Sequence, residues 1–313
     1  MPDVCQLHCR YCFRQYNKKP QLIDYTAEEV MEMLRHYPKI RTMSFLGGEP
    51  LIFKDKIKEI IQVTKPRIKK YIITTNGINL KEEDIEFFVK NHVQLNISLD
   101  GDREQNDFNR GQGTYDKVMA AIDKIYEVAP KDYFWVISST FSKETIDKLY
   151  ETYLFIRTIT PKGWAVNIDK YGEWTDADLK LISSELKKIQ KHYLSSPRTM
   201  KWFLSRVGEH QIIYNHSDHV VVHQSGILQQ GFPFSKEILF TKNFSDMVLG
   251  NIHDIKNAKP YSELTYETLR PCNNTCCDSC PLGEREFYPE VRESHAKLLC
   301  TIYRTLMDLD KED

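Results

Sequence analysis

Residues 70–101 read KYIITTNGINLKEEDIEFFVKNHVQLNISLDG. The segment 70–76 is rich in β-branched and aromatic residues and predicts a strand, as does the segment 93–101. Between them, the segment 81–91 begins with acidic residues and carries apolar residues at helical spacing, which predicts a helix. A strand, a helix and a second strand in this order indicate two parallel strands joined by a right-handed crossover.

The same alternation continues on both sides of this unit. The other predicted strands cover 41–46, 133–141 and 164–170, and the other predicted helices cover 26–37, 55–64, 113–129, 143–156 and 176–194. With a short first segment around Cys5, about six strand–helix units fit before residue 200, which is fewer than a closed eight-fold barrel needs. The sequence therefore predicts a parallel α/β domain over residues 1–200.

The alternation ends near residue 200, and residues 201–313 are predicted to form a separate C-terminal region. Within it, the segment 201–260 has short apolar runs that predict one or two hairpins. Its histidines are His210, His216, His219 and His223. Their spacing matches no helical or hairpin pattern of metal ligands, so we interpret them as packed or solvated side chains.

Composition and charge exclude several classes of function. The chain has 313 residues, 41% hydrophobic and 28% charged, with a formal net charge of -1. This balance does not favour nonspecific binding to nucleic acid or to an anionic membrane. No apolar run reaches the length of a membrane-spanning helix, and the first residues do not resemble a signal sequence. We therefore predict a cytoplasmic protein that binds neither nucleic acid nor membranes.

Eight cysteines fall in two groups that are far apart in the sequence. The first group is Cys5, Cys9 and Cys12, and the second is Cys272, Cys276, Cys277, Cys280 and Cys300. In a reducing compartment, clustered thiols more often bind metal than form disulfides. A cubane iron–sulfur cluster has four irons, so three thiolates leave one iron open to a small molecule.

Three polar, glycine-bearing turns follow successive predicted strands. They are LGGEP at 46–50, TTNG at 74–77 and SLDG at 98–101. Each alone is also typical of an ordinary turn. Because parallel sheets bind ligands at the carboxyl ends of their strands, the three turns together predict one shared site near the first cysteine group.

These motifs resemble those of the radical S-adenosylmethionine (radical SAM) superfamily, across about residues 3–170. The resemblance rests on the CxxxCxxC spacing with Tyr11, on GGEP, on Ser98 in ISLDG and on Arg110 in NRGQGTYDKV. It implies a partial (β/α)6 barrel with a [4Fe-4S] cluster on Cys5, Cys9 and Cys12. It also implies that the open iron binds S-adenosylmethionine, which is cleaved reductively to a 5′-deoxyadenosyl radical.

The resemblance also implies roles for the turn residues. The turn Gly47–Pro50 would hold the methionine amino group with Glu49 as an acceptor, and Ser98 and Arg110 would bind the carboxylate or the ribose. Tyr11 would contact the adenine. The full set of implied cofactor-binding residues is Tyr11, Gly47, Gly48, Glu49, Pro50, Asn76, Ser98 and Arg110. Related enzymes have a full strand before the first cysteine, whereas four residues precede Cys5 here, so the first strand is either minimal or truncated.

The second cysteine group resembles the auxiliary-cluster region of SPASM/twitch-type enzymes, as does the segment LGNI at 249–252. Within PCNNTCCDSCPLG at 271–283, Cys277 and Cys280 form the tightest chelating pair. Cys272 and Cys300 are the other expected ligands of one auxiliary [4Fe-4S] cluster, and structural zinc is the alternative. Cys276 remains as a candidate catalytic thiol that returns a hydrogen atom to a substrate radical, as in peptide epimerases.

The function implied by this resemblance is modification of a ribosomally synthesised peptide. Epimerisation, thioether formation and carbon–carbon crosslinking all remain open, with flavodoxin or ferredoxin as the electron donor. Within enzymes, the alternatives are a sulfatase-maturase-like enzyme that modifies a protein side chain and a small-molecule radical enzyme. Outside enzymes, the alternative is a zinc or iron–sulfur sensor module.

Overall fold

The structure is a computed structural model that describes residues 4–12, 23–169, 173–195, 201–204, 220–222, 225, 227–230, 248–259, 298, 301 and 305. Six strands form one parallel sheet in which strand order follows chain order. They are β1 (Thr42–Phe45), β2 (Lys70–Thr75), β3 (Val93–Ser98), β4 (Trp135–Phe141), β5 (Gly163–Ile168) and β6 (Lys201–Leu204). Each strand thus pairs with the next along the chain, as in a partial (β/α) barrel, and the predicted fold class is confirmed.

Helices connect these strands. They are α1 (Ala27–His36), α2 (Lys54–Thr64), α3 (Glu82–Lys90), α4 (Arg103–Arg110), α5 (Thr114–Val128), α6 (Leu149–Ile159) and α7 (Asp176–Ser195). Helix α1 begins with a capping box, in which the Thr26 hydroxyl accepts from Glu29 N while the Glu29 carboxylate accepts from Thr26 N. Short 3-10 turns precede α2 at Pro50–Phe53 and α6 at Ile146–Lys148.

The core lies between the sheet and its helices. Ile73, Leu95, Ile97 and Ile137 from three neighbouring strands are fully buried, and Trp164 of β5 is buried with them. Buried and partly buried residues alternate along β2 and β3, so one face of the sheet packs in the same core as the helices. Each fully buried apolar side chain contributes about 1.5–3 kcal/mol by leaving water. The other face carries partly buried polar side chains, among them Thr74, Gln94 and Asn96.

Three details of the predicted order are wrong. Described residues 4–12 contain no strand, and the sixth strand is instead β6, which follows residue 200. The helix predicted at 143–156 begins at Leu149 because a 3-10 turn occupies its first part. Helix α4 was not predicted, because its sequence REQNDFNR has too few apolar residues to give a helical pattern. The division at residue 200 stays a prediction.

A second sheet follows the parallel one, and the 3-10 turn after its last strand packs against α1. Strands β7 (Val220–Val222), β8 (Ile227–Gln230) and β9 (Val248–Asn251) pair antiparallel. The hairpin of β7 and β8 confirms the prediction of at least one hairpin in this segment. The 3-10 turn Ile252–Asn257 follows β9, and the Tyr37 hydroxyl at the end of α1 donates to the Lys259 carbonyl at 2.9 Å. Leu249 and Ile252 are buried in the same core as the parallel sheet.

Several predictions fall on residues that the structure does not describe. They concern the five C-terminal cysteines (Cys272, Cys276, Cys277, Cys280 and Cys300) and the four histidines (His210, His216, His219 and His223). Of the helices that the structure does describe, none combines the length and apolar character needed to span a bilayer.

Candidate cofactor site

The loop that carries the first three cysteines begins against the turn after β1. Glu49 N donates to the Val4 carbonyl oxygen at 2.7 Å. Gly48 packs so closely that a Cβ atom there would lie 2.1 Å from the same oxygen, well inside van der Waals contact. Glycine is therefore required at this position, because only a residue without a side chain lets the two backbones meet.

The sulfur of Cys5 lies beside the end of β2. Asn76 Nδ2 is 3.8 Å from Cys5 Sγ, and Leu7 N donates to the same sulfur at 3.4 Å. Asn76 also accepts from Gln6 Nε2 at 3.3 Å, which ties its side chain to the cysteine loop. N–H groups directed at a sulfur stabilise its thiolate form and tune the potential of a bound cluster.

The next two cysteines share a tight turn. Cys12 N donates to the Cys9 carbonyl at 3.0 Å, and Cys9 is buried whereas Cys5 and Cys12 are half-buried. Burial raises the pKa of the Cys9 thiol to about 11, although the positive charge of Arg110 acts in the opposite direction. Metal coordination deprotonates such a thiol, because only the thiolate is a ligand.

The donor set of three thiols on one loop fits a cubane iron–sulfur cluster. Within the described part of the chain, no three His, Cys, Asp or Glu side chains are grouped tightly enough to hold one metal ion. A structural zinc ion needs its ligands to converge on one atom. A cubane takes one thiolate per iron, so three thiols spread along one loop suit it.

Glu49 joins the turn after β1 to the end of β2. Its side chain is almost fully buried and accepts from Leu51 N at 2.9 Å, Thr75 Oγ1 at 2.5 Å and Asn76 N at 2.8 Å. Burial raises the pKa of Glu49, and the three donors partly offset that rise. A carboxylate has about four acceptor positions. One position therefore remains for the methionine amino group that the resemblance assigns to Glu49, and this role stays a prediction.

The most connected polar side chain at this edge is Asp100, which follows β3 and is fully buried. Its carboxylate accepts from Tyr11 Oη at 2.6 Å, from Arg110 Nε at 2.9 Å and Nη2 at 2.8 Å, and from Thr140 N at 2.8 Å. In the sequence, Asp100 is one residue of the SLDG turn, and no pattern marks it as a site residue. The only signal was an acidic residue ten positions before the arginine.

The pairing with Asp100 restricts what Arg110 can bind. Burial disfavours the guanidinium charge, but Asp100 and Tyr11 outweigh burial and hold the pKa of Arg110 above its usual range. The Nε–Nη2 edge of the guanidinium faces Asp100, so a cofactor carboxylate would have to meet the Nη1–Nη2 edge. Burial likewise raises the pKa of Tyr11, whose ring lies 5.6 Å from the Arg110 guanidinium.

The remaining predicted residues lie at the same edge of the sheet. Ser98 is the last residue of β3, Gly47 precedes Gly48 with a φ of 144°, and Pro50 starts the 3-10 turn before α2. Thus the structure brings together every predicted cofactor-binding residue and the first three cysteines. Their binding roles stay predictions.

Helix α4 holds the cysteine loop from the other side. Arg10 N donates to the Asn109 carbonyl at 2.9 Å, and Arg10 Nε donates to the Phe108 carbonyl at 2.8 Å. The Arg10 guanidinium also lies 4.0 Å from the centre of the Phe108 ring. An open cavity of about 850 Å³ adjoins these contacts, with His8 on its loop side and Gln112 at its far end.

The fold and the site define an α/β partial-barrel protein with a thiol-bearing loop fastened across the carboxyl ends of its strands. Comparison with known families gives a more specific result. The profile of the Radical SAM superfamily matches residues 1–156, and the chain belongs to that superfamily. The family implies a [4Fe-4S] cluster and S-adenosylmethionine, so the resemblance seen in the sequence is confirmed.

Two curated relatives and one solved structure are similar to the chain. The GTP 3′,8-cyclase of Psychromonas ingrahamii is 26% identical over 259 residues, which are 75% of this chain and 68% of the cyclase. A cysteine-type anaerobic sulfatase-maturating enzyme of Clostridium novyi is 27% identical over 165 residues, which are 47% of this chain and 44% of that enzyme.

The solved structure is native anSMEcpe with bound AdoMet and the Cp18Cys peptide. It superposes with a TM-score of 0.68 at 15% identity, covering 99% of this chain and 97% of anSMEcpe. At this level of identity the likeness concerns the fold alone.

Proposed function

We propose that this radical SAM protein cleaves S-adenosylmethionine reductively and modifies a ribosomally synthesised peptide. The observation that carries the first part is the contact of one cysteine loop with the ends of three consecutive strands and with helix α4. Val4 meets the turn at Glu49, Cys5 meets Asn76, and Tyr11 meets Asp100. The fourth contact joins Arg10 to α4. This is the edge at which parallel α/β sheets bind ligands.

The residues of the chain bind, orient and shield. Cys5, Cys9 and Cys12 would hold the cluster, which when bound supplies the electron that splits S-adenosylmethionine into methionine and a 5′-deoxyadenosyl radical. Glu49 would accept from the amino group through its remaining lone pair. Arg110 would meet the carboxylate with its outer edge. Fixed, buried partners of this kind pre-organise a site because their orientation costs nothing when the ligand arrives.

A peptide substrate is supported by the fold likeness to anSMEcpe, whose structure contains the Cp18Cys peptide. Epimerisation, a thioether and a carbon–carbon crosslink remain the candidate products. An auxiliary [4Fe-4S] cluster on Cys272, Cys277, Cys280 and Cys300 and a hydrogen-donating Cys276 are part of this proposal, as is electron supply by flavodoxin or ferredoxin.

Two alternatives have specific support. A sulfatase-maturase-like reaction on a protein side chain is favoured by the likeness to the sulfatase-maturating enzyme. A small-molecule reaction is favoured by the cyclase, because that alignment covers the larger share of this chain. A zinc or iron–sulfur sensor without catalysis is an outcome that the first experiment below tests.

The test of cofactor cleavage is anaerobic reconstitution with iron and sulfide, reduction with dithionite, and chromatographic measurement of 5′-deoxyadenosine. We expect product from the wild type and none from Cys9→Ala, because a cluster held by two thiolates is labile. His8→Ala is the matched control, since His8 is an exposed residue of the same loop. Equal product from Cys9→Ala and the wild type would contradict the cluster assignment, and no product from an iron-loaded wild type would favour the sensor.

The test of the substrate is mass spectrometry of candidate peptides encoded near the gene. A crosslink lowers the mass by two hydrogens, whereas epimerisation leaves the mass unchanged but incorporates deuterium from heavy water at the inverted position. If no peptide changes while GTP or another small molecule is consumed with 5′-deoxyadenosine formation, the peptide assignment is wrong.

The auxiliary cluster has a separate test. In Cys280→Ala we expect iron content to fall while cleavage of S-adenosylmethionine continues and peptide modification is lost. Cys276→Ala should keep its iron, because Cys276 is not among the expected ligands. Unchanged iron in Cys280→Ala would rule out Cys280 as a ligand.

A further inference from the structure

Asp100 connects three separate parts of the fold through one side chain. Tyr11 comes from the cysteine loop, Arg110 from the end of α4, and Thr140 from β4. Because the carboxylate is fully buried, no water competes for these four donors. A buried carboxylate with full hydrogen bonding fixes the orientation of its partners more strictly than an exposed one.

The backbone of Asp100 is held independently of its carboxylate. Asp100 N donates to Asn106 Oδ1 at 3.1 Å, and the Asp100 carbonyl accepts from Gln105 Nε2 at 2.5 Å. Leu99 N, one residue earlier, donates to the Ser138 carbonyl at 3.1 Å, which continues the pairing of β3 with β4. The carboxylate can therefore be altered without releasing the turn that carries it.

The two side chains that bind the Asp100 carboxylate differ in what they lose without it. The Arg110 guanidinium is 7% exposed, and Asp100 is its ion-pair partner. Without the carboxylate, the guanidinium would no longer be held by its Nε–Nη2 edge, so its outer edge would lose a defined direction. The Tyr11 hydroxyl would lose its acceptor, and with it the contact that ties the residue between Cys9 and Cys12 to the sheet.

We propose that Asp100 is a positioning residue that orients Arg110 and Tyr11 for binding S-adenosylmethionine, a role that rests on the proposed function. It acts through these two side chains and does not itself touch the cofactor. Its removal is expected to weaken cofactor binding while leaving the cluster in place, because its carboxylate accepts hydrogen bonds from Tyr11, Arg110 and Thr140, and none of these three residues is an expected cluster ligand.

The primary test is Asp100→Asn in the reconstituted full chain. An asparagine keeps the shape but offers one acceptor oxygen and an NH2 group, which cannot accept from Arg110 or Tyr11. Losing charge-assisted hydrogen bonds predicts that the dissociation constant for S-adenosylmethionine, measured by calorimetry, rises about 10- to 100-fold. We expect the KM for S-adenosylmethionine to rise with it, with a smaller change in kcat, and iron content to match the wild type.

Tyr11→Phe provides a second, milder variant that removes only the hydroxyl and keeps the ring. We expect a rise of about tenfold or less in the same dissociation constant. The perturbation that S-adenosylmethionine causes in the EPR spectrum of the reduced cluster should also weaken in both variants, which a purely structural role would not predict for a folded protein.

Asp84→Asn is the matched control, because Asp84 is also fully buried and pairs with two cations, but on the helical layer. Its affinity for S-adenosylmethionine should equal that of the wild type. Wild-type affinity in folded Asp100→Asn and Tyr11→Phe would overturn the inference, as would loss of iron from both variants. Failure of the wild type to bind or cleave S-adenosylmethionine would instead overturn the proposed function.

Discussion

Asp84 and Asp100 are both fully buried aspartates with two or more charged or hydrogen-bonding partners, yet they lie in different surroundings. Asp84 in α3 accepts from Lys54 and Lys58 of α2, each at 2.6 Å, and from Lys81 N at 3.1 Å. Both lysines remain about one-fifth exposed. Asp100 instead binds a buried arginine, Arg110, and a half-buried tyrosine, Tyr11, beside the cysteines.

The two sites differ in how far the cationic partners of the aspartate are removed from water. The lysines at Asp84 keep contact with water, so they hold α2 against α3 at little desolvation cost. Arg110 is almost completely removed from water, and a buried ion pair of this kind contributes little net stability. The ion pair of Arg110 and Asp100 lies at the carboxyl ends of the strands, where parallel sheets bind ligands, and this position supports a role in cofactor binding. The position of Asp84 between two helices supports a structural role.

We expect the strongest effect from Gly48→Ala, which disrupts the contact between the cysteine loop and the turn after β1 without altering any charge. In Gly48→Ala the new Cβ would overlap the Val4 carbonyl, so the turn and the cysteine loop must move apart. Displacing reacting groups by about 1 Å can cost about 100-fold in rate, so we expect at least that loss in 5′-deoxyadenosine formation.

The control for Gly48→Ala is Gly113→Ala. Gly113 has a positive φ of 75° but open space around its Cβ position. This variant should lose about 1 kcal/mol of stability from backbone strain and keep its rate of cofactor cleavage. Equal rates in the two variants would show that the contact between Gly48 and Val4 does not position the loop.

We expect a weaker effect, on stability alone, from a substitution of Asp84. Asp84→Asn should lower the free energy of unfolding by about 1–3 kcal/mol, because two lysines lose their acceptor charge. Denaturant unfolding measures this loss, and 5′-deoxyadenosine formation per folded protein should be unchanged. A drop in cofactor cleavage at unchanged stability would mean that the helical layer is coupled to the site.

The pH dependence of stability offers a check on Asp84. Burial tends to raise the pKa of Asp84, but Lys54, Lys58 and the Lys81 N–H outweigh it and lower the pKa below its ordinary value. The stabilisation is therefore present above the unfolded pKa of about 3.9 and is lost as pH falls through the folded pKa. Asp84→Asn should lack this part of the acid dependence.

The weakest effect is expected at an exposed pair between α1 and the 3-10 turn that follows β9. His253 Nδ1 lies 2.7 Å from Glu29 Oε1, and this hydrogen bond raises the pKa of His253. Its stabilisation is complete below the unfolded pKa of about 6.5 and is lost as pH rises through the folded pKa. His253→Gln should lower stability by less than about 1 kcal/mol at pH 6, with no difference at pH 9.

Thermal unfolding at the two pH values measures the loss of stability in His253→Gln. A second carboxylate lies near His253, since Asp24 Oδ2 is 3.6 Å from His253 Nε2. Asp24→Asn is the control, because it removes the longer contact and leaves Glu29 in place. A larger loss at pH 9 than at pH 6 would contradict the assigned direction of the His253 pKa.

The helices and strands that the sequence predicts correctly are those with a local pattern of apolar residues. The strands at 70–76 and 93–101 and the helix at 81–91 were predicted because apolar spacing and β-branched residues report burial directly. Helix α4 was missed because its buried face is polar, with Asn106, Asp107 and Asn109 all buried. Strand β6 was not predicted, because it lies just after residue 200, where the alternation of strands and helices ends in the sequence.

The amino-acid sequence alone determined the parallel α/β class, the thiol triad and the turns that follow successive strands, because periodicity, spacing and turn chemistry are local properties. Only the tertiary structure decided that Asp100 faces Arg110, Tyr11 and Thr140, that Glu49 bridges two strand ends, and that Gly48 must lack a side chain. These contacts join residues that are distant in the sequence, and their partners are selected by the folding of the sheet, which no local pattern encodes.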